Sequence, residues 1–261
     1  MSKEVDRVAL ITGATSGIGL ATAKRLARSD HQIFICSRSA ASVETTVEEL
    51  RSEGYTADGA SCDVTDVAQI EQLVKAARAR FGPISVLVNN AGRSGGGITA
   101  DLPDDLWLDV LNVNLNSVFL VTRRVLTMGG MLELGRGRII NIASTGGKQG
   151  VVLGAPYSAS KHGVVGFTKA LGLELAKTGI TVNAVCPGYV ETPMAERVRQ
   201  TYAGIWDMSE DDVLTRFNAK IPMGRYGTPE EVAAMVNYLA GDEAAVVTAQ
   251  AMNVCGGLGN Y

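Results

Sequence analysis

Three residues in one short stretch are of types that could together do proton chemistry on a carbonyl group or an alcohol. Tyr157 and Lys161 stand four residues apart, and Ser144 precedes the tyrosine by thirteen residues. If the stretch is helical, the phenol and the ammonium lie on one face, one turn apart. A neighbouring cation favours an ionised phenol, so we expect Lys161 to lower the pKa of Tyr157 from about 10 toward neutrality. The phenol could then give or take a proton while Ser144 holds the carbonyl oxygen.

The elements around this stretch follow a strand and helix alternation. Tyr and Lys residues four apart are common on solvated helix faces, so the elements around Tyr157 and Lys161 decide whether this pair is catalytic. Apolar runs predict strands at 8–12, 32–37, 57–62, 86–89, 138–143 and 181–185. Helical patterns cover 18–28, 43–52, 67–81, 104–127 and 157–177. This alternation indicates a single α/β domain with a parallel sheet covered by helices on both faces.

Length, composition and charge exclude several classes of protein. The 261 residues are 46% hydrophobic and 20% charged, with a net charge of -3, so a nucleic acid partner is not expected. No apolar run is long enough for a membrane span, and the short polar stretch 1–7 argues against a signal peptide. Two histidines and scattered cysteines predict no metal site and suggest buried reduced thiols in a cytoplasmic protein. The cysteines are Cys36, Cys62, Cys186 and Cys255.

A glycine-rich turn follows the first predicted strand. Three glycines between a strand and a helix allow a diphosphate to approach the backbone, and the helix N-terminus offers free N–H groups. No Gly-Lys-Ser/Thr sequence follows, which argues against a nucleotide triphosphatase loop. The residues expected around the diphosphate are Gly13, Thr15, Ser16, Gly17, Ile18 and Gly19.

The end of the second predicted strand favours NADPH over NADH. An NAD site usually places an acid there, but this chain reads Cys36-Ser37-Arg38. A guanidinium can pair with a 2′-phosphate. The alternative is that Arg38 is an ordinary solvated charge.

A long segment at 188–222 interrupts the alternation. It carries Met194, Tyr202, Trp206 and Phe217 among polar residues. An insertion after a strand's carboxyl end lies over the ligand crevice of an α/β sheet, so we interpret this segment as a lid. The alternative is a peripheral helical hairpin.

The chain resembles the short-chain dehydrogenase/reductase family over nearly its whole length. The resemblance rests on the Thr-Gly-x3-Gly-x-Gly run at 12–19, Asp63-Val64, Asn89-Asn90-Ala91-Gly92, Asn114, Ser144, Tyr157-x3-Lys161 and Pro187-Gly188. It implies one Rossmann-like, doubly wound domain with a seven-stranded sheet, usually assembled as a tetramer. It also implies that Asp63 and Val64 hold the adenine and that Asn90 and Gly92 line the ribose. The nicotinamide would contact Val190 and Thr192, after Pro187 and Gly188.

The chain is also similar to a narrower group, the ketoreductases of type II aromatic polyketide synthases. The stretches 143–151 and 253–261 look like that group's catalytic stretch and carboxyl terminus. The resemblance implies reduction of one ketone of a poly-β-ketone carried on an acyl carrier protein. One departure is Ser94-Gly95-Gly96, where a member of the group has Pro-Gly-Gly in a loop that guides the substrate. We expect three successive glycines, Gly95 to Gly97, to leave this loop conformationally open.

The resemblance implies a role for each catalytic group. Tyr157 would be the general acid in reduction, Ser144 would donate to the carbonyl oxygen, and Lys161 would hold the ribose and favour the tyrosinate. Asn114 would complete a proton relay through a water near Lys161, unless it is a polar residue that only bends its helix. His162, about 100° away from Lys161 around the helix, is interpreted as structural.

The residues expected to line the substrate pocket separate the candidate functions. A roomy, partly aromatic pocket favours a polyketide over the substrates of two alternatives, a 3-oxoacyl-carrier-protein reductase of fatty acid synthesis and a small-alcohol dehydrogenase. A third alternative, a non-catalytic NADP-binding regulator, would lack part of the catalytic set. The expected pocket residues are Ser94, Gly95, Gly96, Thr145, Gln149, Val151, Met194, Tyr202 and Trp206.

Overall fold

The computed structural model describes residues 7–259. Residues 1–6, which make up most of the N-terminal stretch that argues against a signal peptide, lie outside the described residues. The last two residues of the 253–261 stretch also lie outside them. The strands are β1 (Val8–Thr12), β2 (Gln32–Ser37), β3 (Ala57–Ser61), β4 (Val86–Asn89), β5 (Gly137–Ile142), β6 (Ile180–Pro187) and β7 (Ala251–Val254). The helices are α1 (Gly17–Ala27), α2 (Ala40–Ser52), α3 (Val67–Phe81), α4 (Asp104–Leu111), α5 (Ser117–Thr127), α6 (Met131–Leu134), α7 (Ala155–Glu174), α8 (Pro193–Trp206), α9 (Glu210–Asn218) and α10 (Pro229–Ala240).

The seven strands form one parallel sheet in the order β3-β2-β1-β4-β5-β6-β7. The doubly wound fold expected from the alternation and the resemblance is therefore confirmed. The strand order reverses between β1 and β4, and in such sheets the crevice at the carboxyl ends of these strands is where ligands bind. A ligand site is therefore expected at the turns after β1 and β4.

Alternating strand residues feed two hydrophobic cores, one on each face of the sheet. Ala9 and Ile11 of β1 point into a core with α1, α2 and α10, whereas Val8 and Leu10 point into a core with α3, α5 and α7. Because β1 is central and covered on both faces, all five of its residues are buried. This explains why its sequence is a continuous apolar run rather than an alternating one.

The structure interrupts one predicted helix and adds elements that were not predicted from the sequence. The predicted helix 104–127 is interrupted by a π-helical turn at Asn112–Asn116, which contains Asn114. Strand β7 and helix α10 were not predicted. Helix α10 begins with a capping box in which Thr228 Oγ1 accepts from the backbone of Glu231 and the Glu231 carboxylate accepts from the backbone of Thr228.

Three of the four cysteines are buried as expected, but the expectation is wrong for Cys255, which is only partly buried after the edge strand β7. Residues 7–259 contain no cluster of three or more His, Cys, Asp or Glu placed to hold a metal ion. Within the same residues, no helix has both the length and the apolar character needed to cross a bilayer.

Candidate active site

Ser144 and Tyr157 meet at the carboxyl end of the sheet. Ser144 lies just beyond β5, and Tyr157 stands in the first turn of α7, directly after Pro156, which occupies a first-turn position suited to proline. Their side chains share a hydrogen bond. Gly146 lies between them, since a Cβ atom there would stand 3.3 Å from both Ser144 Oγ and Tyr157 Cε1. The structure therefore brings Ser144 and Tyr157 together.

Lys161 lies one turn beyond Tyr157 and is buried, with 5% of its surface exposed. Its Nζ donates to the carbonyl oxygen of Ile142 at 2.8 Å and lies 5.8 Å from the centroid of the Tyr157 ring. Burial lowers the pKa of Lys161 to about 8. The ammonium is thus poorly solvated. Its charged form is unfavourable there, and its interaction with nearby charges is weakly screened.

We expected Lys161 to lower the pKa of Tyr157, and this expectation is wrong for the protein without a cofactor. Burial is the main cause and raises the pKa of the phenol, while the hydrogen bond with Ser144 acts in the opposite direction. Desolvation disfavours the charged tyrosinate. The phenol is therefore held in its neutral, proton-bearing form at neutral pH.

Asn114 lies fully buried in the π-helical turn. Its Oδ1 accepts from the Arg93 backbone N–H at 2.8 Å, and its Nδ2 donates to the Arg93 carbonyl at 2.9 Å and to Ser160 Oγ at 3.2 Å. A Cβ atom at Gly92 would stand 3.3 Å from Asn114 Oδ1 and 3.7 Å from Lys161 Nζ. The structure thus brings Gly92, Asn114 and Lys161 together. The π-helical turn shows that Asn114 also marks a distortion of its helix.

The turn between β1 and α1 has the shape needed for close approach of a diphosphate. Gly13 has φ +64° and Gly17 has φ +52°, and a Cβ atom at Gly19 would stand only 2.3 Å from the Gly13 carbonyl oxygen. The Ser16 side chain makes no capping hydrogen bond at the start of α1. Asn90 Nδ2 holds the turn by donating to the carbonyls of Thr12 and Gly13. The donor set and the space of this turn fit a dinucleotide.

The residues expected around the adenosine end follow β2 and β3. Arg38 is exposed just after β2, and no ion pair to it is found within residues 7–259. Asp63 Oδ1 accepts from the backbone and hydroxyl of Thr65, and Val64 is buried. An exposed guanidinium at this end of the sheet fits a cofactor with a 2′-phosphate.

The residues expected near the nicotinamide lie between β6 and α8. Gly188 N–H donates to the Val254 carbonyl beyond Pro187, and Val190 is buried. Thr192 caps α8 by accepting from the Ala195 N–H, and its Cγ2 would lie 3.1 Å from a Cβ atom at Gly17. The start of α8 therefore lies beside the glycine turn.

The loop 94–97 is not open, contrary to the expectation from its glycines. A Cβ atom at Gly96 would stand 1.9 Å from the Leu153 carbonyl oxygen, and one at Gly95 would stand 2.3 Å from Val110 Cγ2. The Gly97 N–H donates to the same Leu153 carbonyl at 2.7 Å. Leu153 has φ +59°, a left-handed conformation that is unfavourable for leucine. Gly95 and Gly96 therefore serve close packing, whereas Gly97, with φ +152°, uses a backbone conformation that favours glycine.

The segment 188–222 contains the two helices α8 and α9, as the alternative of a helical hairpin predicts. The segment also contacts the loop before Tyr157. Tyr202 Oη donates to the Val152 carbonyl at 2.6 Å. The rings of Tyr202 and Trp206 pack edge-on against Phe217, with centroids 5.2 and 5.8 Å away. Trp206 and Phe217 are therefore used largely to hold the two helices together.

The other expected pocket residues are placed around this junction. Val151 Cγ2 would stand 2.9 Å from a Cβ atom at Gly146, which puts Val151 beside the Ser144 and Tyr157 pair. Thr145 is buried, and Gln149 and Met194 are partly buried. His162 is exposed, and its Nδ1 is hydrogen-bonded to the Ser158 carbonyl, in agreement with a structural role.

Two positioning contacts were missed from the sequence. Ser160 Oγ accepts from Asn114 and donates to the Tyr157 carbonyl at 2.7 Å, so it links the π-helical turn to α7. Its place directly before Lys161 was a signal that could have been used. The Leu153 carbonyl had no such signal, because backbone contacts of this kind depend on the whole fold.

The fold and this constellation define a short-chain dehydrogenase, and the chain belongs to that family. The family model described as short chain dehydrogenase matches residues 7–203. A ketoacyl reductase of the monensin polyketide synthase of Streptomyces virginiae is 66% identical over the whole of both chains. A granaticin polyketide synthase ketoacyl reductase of Streptomyces violaceoruber is 66% identical over 97% of this chain and 93% of its own. A crystal structure of the actinorhodin polyketide ketoreductase with NADPH has a TM-score of 0.97 and 63% identity, with full coverage of both chains. The resemblance to polyketide ketoreductases is confirmed.

Proposed function

We propose that this chain is an NADPH-dependent ketoreductase that reduces one ketone of a carrier-bound poly-β-ketone in aromatic polyketide biosynthesis. The observation that carries the proposal is the hydrogen-bonded Ser144 and Tyr157 pair beside buried Lys161, in a chain 66% identical over its full length to a polyketide synthase ketoacyl reductase. The site supplies the proton chemistry, and the relatives supply the substrate class.

The glycine turn and the start of α8 would hold the cofactor. Gly13, Gly17 and Gly19 leave room for the diphosphate, and the exposed Arg38 would pair with the 2′-phosphate. Asp63 and Val64 would face the adenine, and the segment around Val190 and Thr192 would face the nicotinamide. The bound cofactor supplies a hydride.

Tyr157 acts as the general acid in the direction of reduction. Burial keeps the phenol protonated, which is the form that can give a proton to a developing alkoxide. Ser144 donates a hydrogen bond to the same oxygen, where negative charge grows in the transition state. Lys161 lies close enough to stabilise the tyrosinate once the proton has left. Asn114 holds the Arg93 backbone and the Ser160 hydroxyl beside this lysine, and it lies where a water-mediated relay to the lysine would begin.

The substrate would enter between the loop 94–97, the loop 151–154 and α8. Val151 stands beside the catalytic pair, and Tyr202 joins α8 to the loop 151–154. Met194, Thr145 and Gln149 would complete the wall. A long polyketone must be held so that one carbonyl reaches Tyr157, and several contacting segments serve that purpose better than one.

A homotetramer and a cytoplasmic setting complete the proposal. Trp107, Leu108 and Phe119 on α4 and α5 and Leu173 on α7 are exposed large apolar side chains. Exposed apolar faces of this kind are typical of subunit interfaces. The four free cysteines suit a reducing compartment.

The test is NADPH oxidation by the purified protein with two ketones. We expect turnover of the bicyclic ketone trans-1-decalone to exceed that of a linear acetoacetyl thioester. Preference for the thioester would instead indicate a 3-oxoacyl-carrier-protein reductase. Tyr157→Phe should lower turnover by roughly 100-fold or more with NADPH binding retained, because only the transferable proton is removed. Turnover near that of the wild type in Tyr157→Phe would exclude this tyrosine as the acid.

A further inference from the structure

The segment 189–192 joins β6 to α8 and contains the two residues proposed to face the nicotinamide. It belongs to neither a strand nor a helix, so contacts with other parts of the chain must hold it. The Gly227 N–H donates to the Tyr189 carbonyl at 2.9 Å, and the Glu191 N–H donates to the Gly227 carbonyl at 3.0 Å. The segment therefore lies on the stretch of chain that leads into α10.

The stretch before α10 is itself well fixed. Tyr226 is buried, and its carbonyl accepts from Arg225 Nη1 at 2.8 Å. The Arg225 guanidinium also donates to both carboxylate oxygens of Glu231, at 2.6 and 3.0 Å. Glu231 belongs to the capping box of α10, and α10 packs against α1 in the core. This stretch is therefore held in place relative to the glycine turn before α1 and supports the segment 189–192.

Arg199, on α8, joins the segment to this support. Its Nη1 and Nη2 donate to the two carboxylate oxygens of Glu191 at 3.0 and 2.8 Å. Its guanidinium carbon lies 5.5 Å from the centroid of the Tyr226 ring, and the guanidinium also hydrogen-bonds with the Tyr226 hydroxyl. The Tyr226 ring in turn stacks on Tyr189, with centroids 5.2 Å apart. The Arg199 side chain is only 12% exposed, so solvent screens these contacts weakly.

We propose that Arg199 is a positioning residue that holds the segment 189–192 where it receives the nicotinamide end of the cofactor. This role rests on the proposed function, which places the nicotinamide beside that segment. Arg199 acts through Glu191 and Tyr226 rather than on the reacting atoms. A planar guanidinium can hold both carboxylate oxygens and a hydroxyl in one geometry, which the compact ammonium of a lysine cannot. Without it the segment would occupy its binding position for only part of the time, and the affinity for the cofactor would fall by that fraction.

Two ligands separate this role from a general effect on the fold. NADPH carries the nicotinamide, whereas adenosine 2′,5′-bisphosphate carries only the adenosine end, and both are titrated calorimetrically into the full-length protein. Arg199→Gln should raise the Kd for NADPH about tenfold and leave the Kd for the bisphosphate unchanged. Arg197→Gln is the matched control, since Arg197 is exposed on the same helix and the change in net charge is the same. Equal losses for both ligands, no loss for NADPH, or the same loss in the control would overturn the proposal.

Glu191→Gln tests the same contact from its other side and removes only a half-exposed charge, so the variant should fold. It should weaken NADPH binding several-fold, although removing an anion near an anionic cofactor would by long-range electrostatics alone strengthen it. Stronger NADPH binding in Glu191→Gln would therefore contradict the role of Arg199.

The conservative and double variants complete the test. Arg199→Lys keeps the charge but not the fork, so it should recover only part of the NADPH affinity that Arg199→Gln loses. The double variant with Glu191→Gln and Arg199→Gln should bind NADPH no more weakly than Arg199→Gln alone, because the two residues act as one unit. Additive losses would overturn the proposal. Failure of the wild type to reduce either ketone while it binds NADPH would refute the proposed function instead, and these binding comparisons would still decide the role of Arg199.

Discussion

Replacing Lys161 with methionine should abolish reduction and yet stabilise the cofactor-free protein near neutral pH. The ammonium is buried, and its pKa falls from the ordinary 10.5 to about 8. That difference corresponds to about 3 kcal/mol of unfavourable free energy for holding the charged form in the folded state. Methionine fills a similar volume without charge. The lost hydrogen bond to the Ile142 carbonyl offsets about 1–2 kcal/mol, so the variant should gain about 1–2 kcal/mol.

The pH dependence gives this prediction its sign. Folded Lys161 binds its proton more weakly than the unfolded chain does, so the unfolded state holds more protons between about 8 and 10.5. The stability of the wild type therefore rises with pH across that window relative to a variant without the group. From about pH 7 to about pH 9.5 the wild type should recover about 2 kcal/mol of the difference.

Urea unfolding of both proteins at the two pH values, without cofactor and at one protein concentration, measures the difference. Lys169→Met is the matched control, since Lys169 is exposed on the same helix and should show no such dependence. A Lys161→Met variant several kcal/mol less stable than the wild type at neutral pH would refute the reasoning. So would a difference in stability that does not change with pH.

Three further predictions concern cofactor choice and the loop 94–97. Arg38→Asp should weaken NADPH binding and make NADH comparatively better, since it replaces a cation by an anion beside the 2′-phosphate; an unchanged cofactor preference argues against this role. Gly96→Ala should change the enantiomer ratio of the alcohol from a prochiral bicyclic ketone, because its Cβ atom would lie 1.9 Å from the Leu153 carbonyl, whereas Gly150→Ala, with open space around it, should not. Ser94→Pro should change that ratio less than Gly96→Ala, because the loop is already fixed by Leu153; a larger effect would show that its first residue does the steering.

The central strands could be predicted from the sequence because both of their faces are buried. Strand β1 and its neighbour β2 are nearly continuous apolar runs, and their predicted bounds match the structure. Strand β7 lies at the edge of the sheet, and its residues Ala-Met-Asn-Val are only partly buried. Neither an apolar run nor a strict alternation marks it, so a pattern search has nothing to detect.

The candidate site could be predicted as a set of residues but not as an electrostatic environment. The spacing of Tyr157 and Lys161 gave their shared helix face correctly, because that follows from helix geometry alone. The sign of the Tyr157 pKa change depends on how far the phenol is desolvated, which is set by the packing of the loop 151–154 and the sheet. In the same way, the freedom expected of Gly96 is removed by a carbonyl from a distant loop.

One property of the site then accounts for both pKa changes. Burial raises the pKa of Tyr157 and lowers that of Lys161, so the same low-polarity environment keeps the phenol neutral and makes the lysine charge costly. Reduction needs a neutral acid before proton transfer and a stabilised tyrosinate after it. A poorly solvated cation near the ring serves the second state more than the first, because its attraction acts only once the phenol has lost its proton. The buried Lys161 ammonium, although unfavourable for the stability of the fold, therefore stabilises the transition state, in which the tyrosinate is forming.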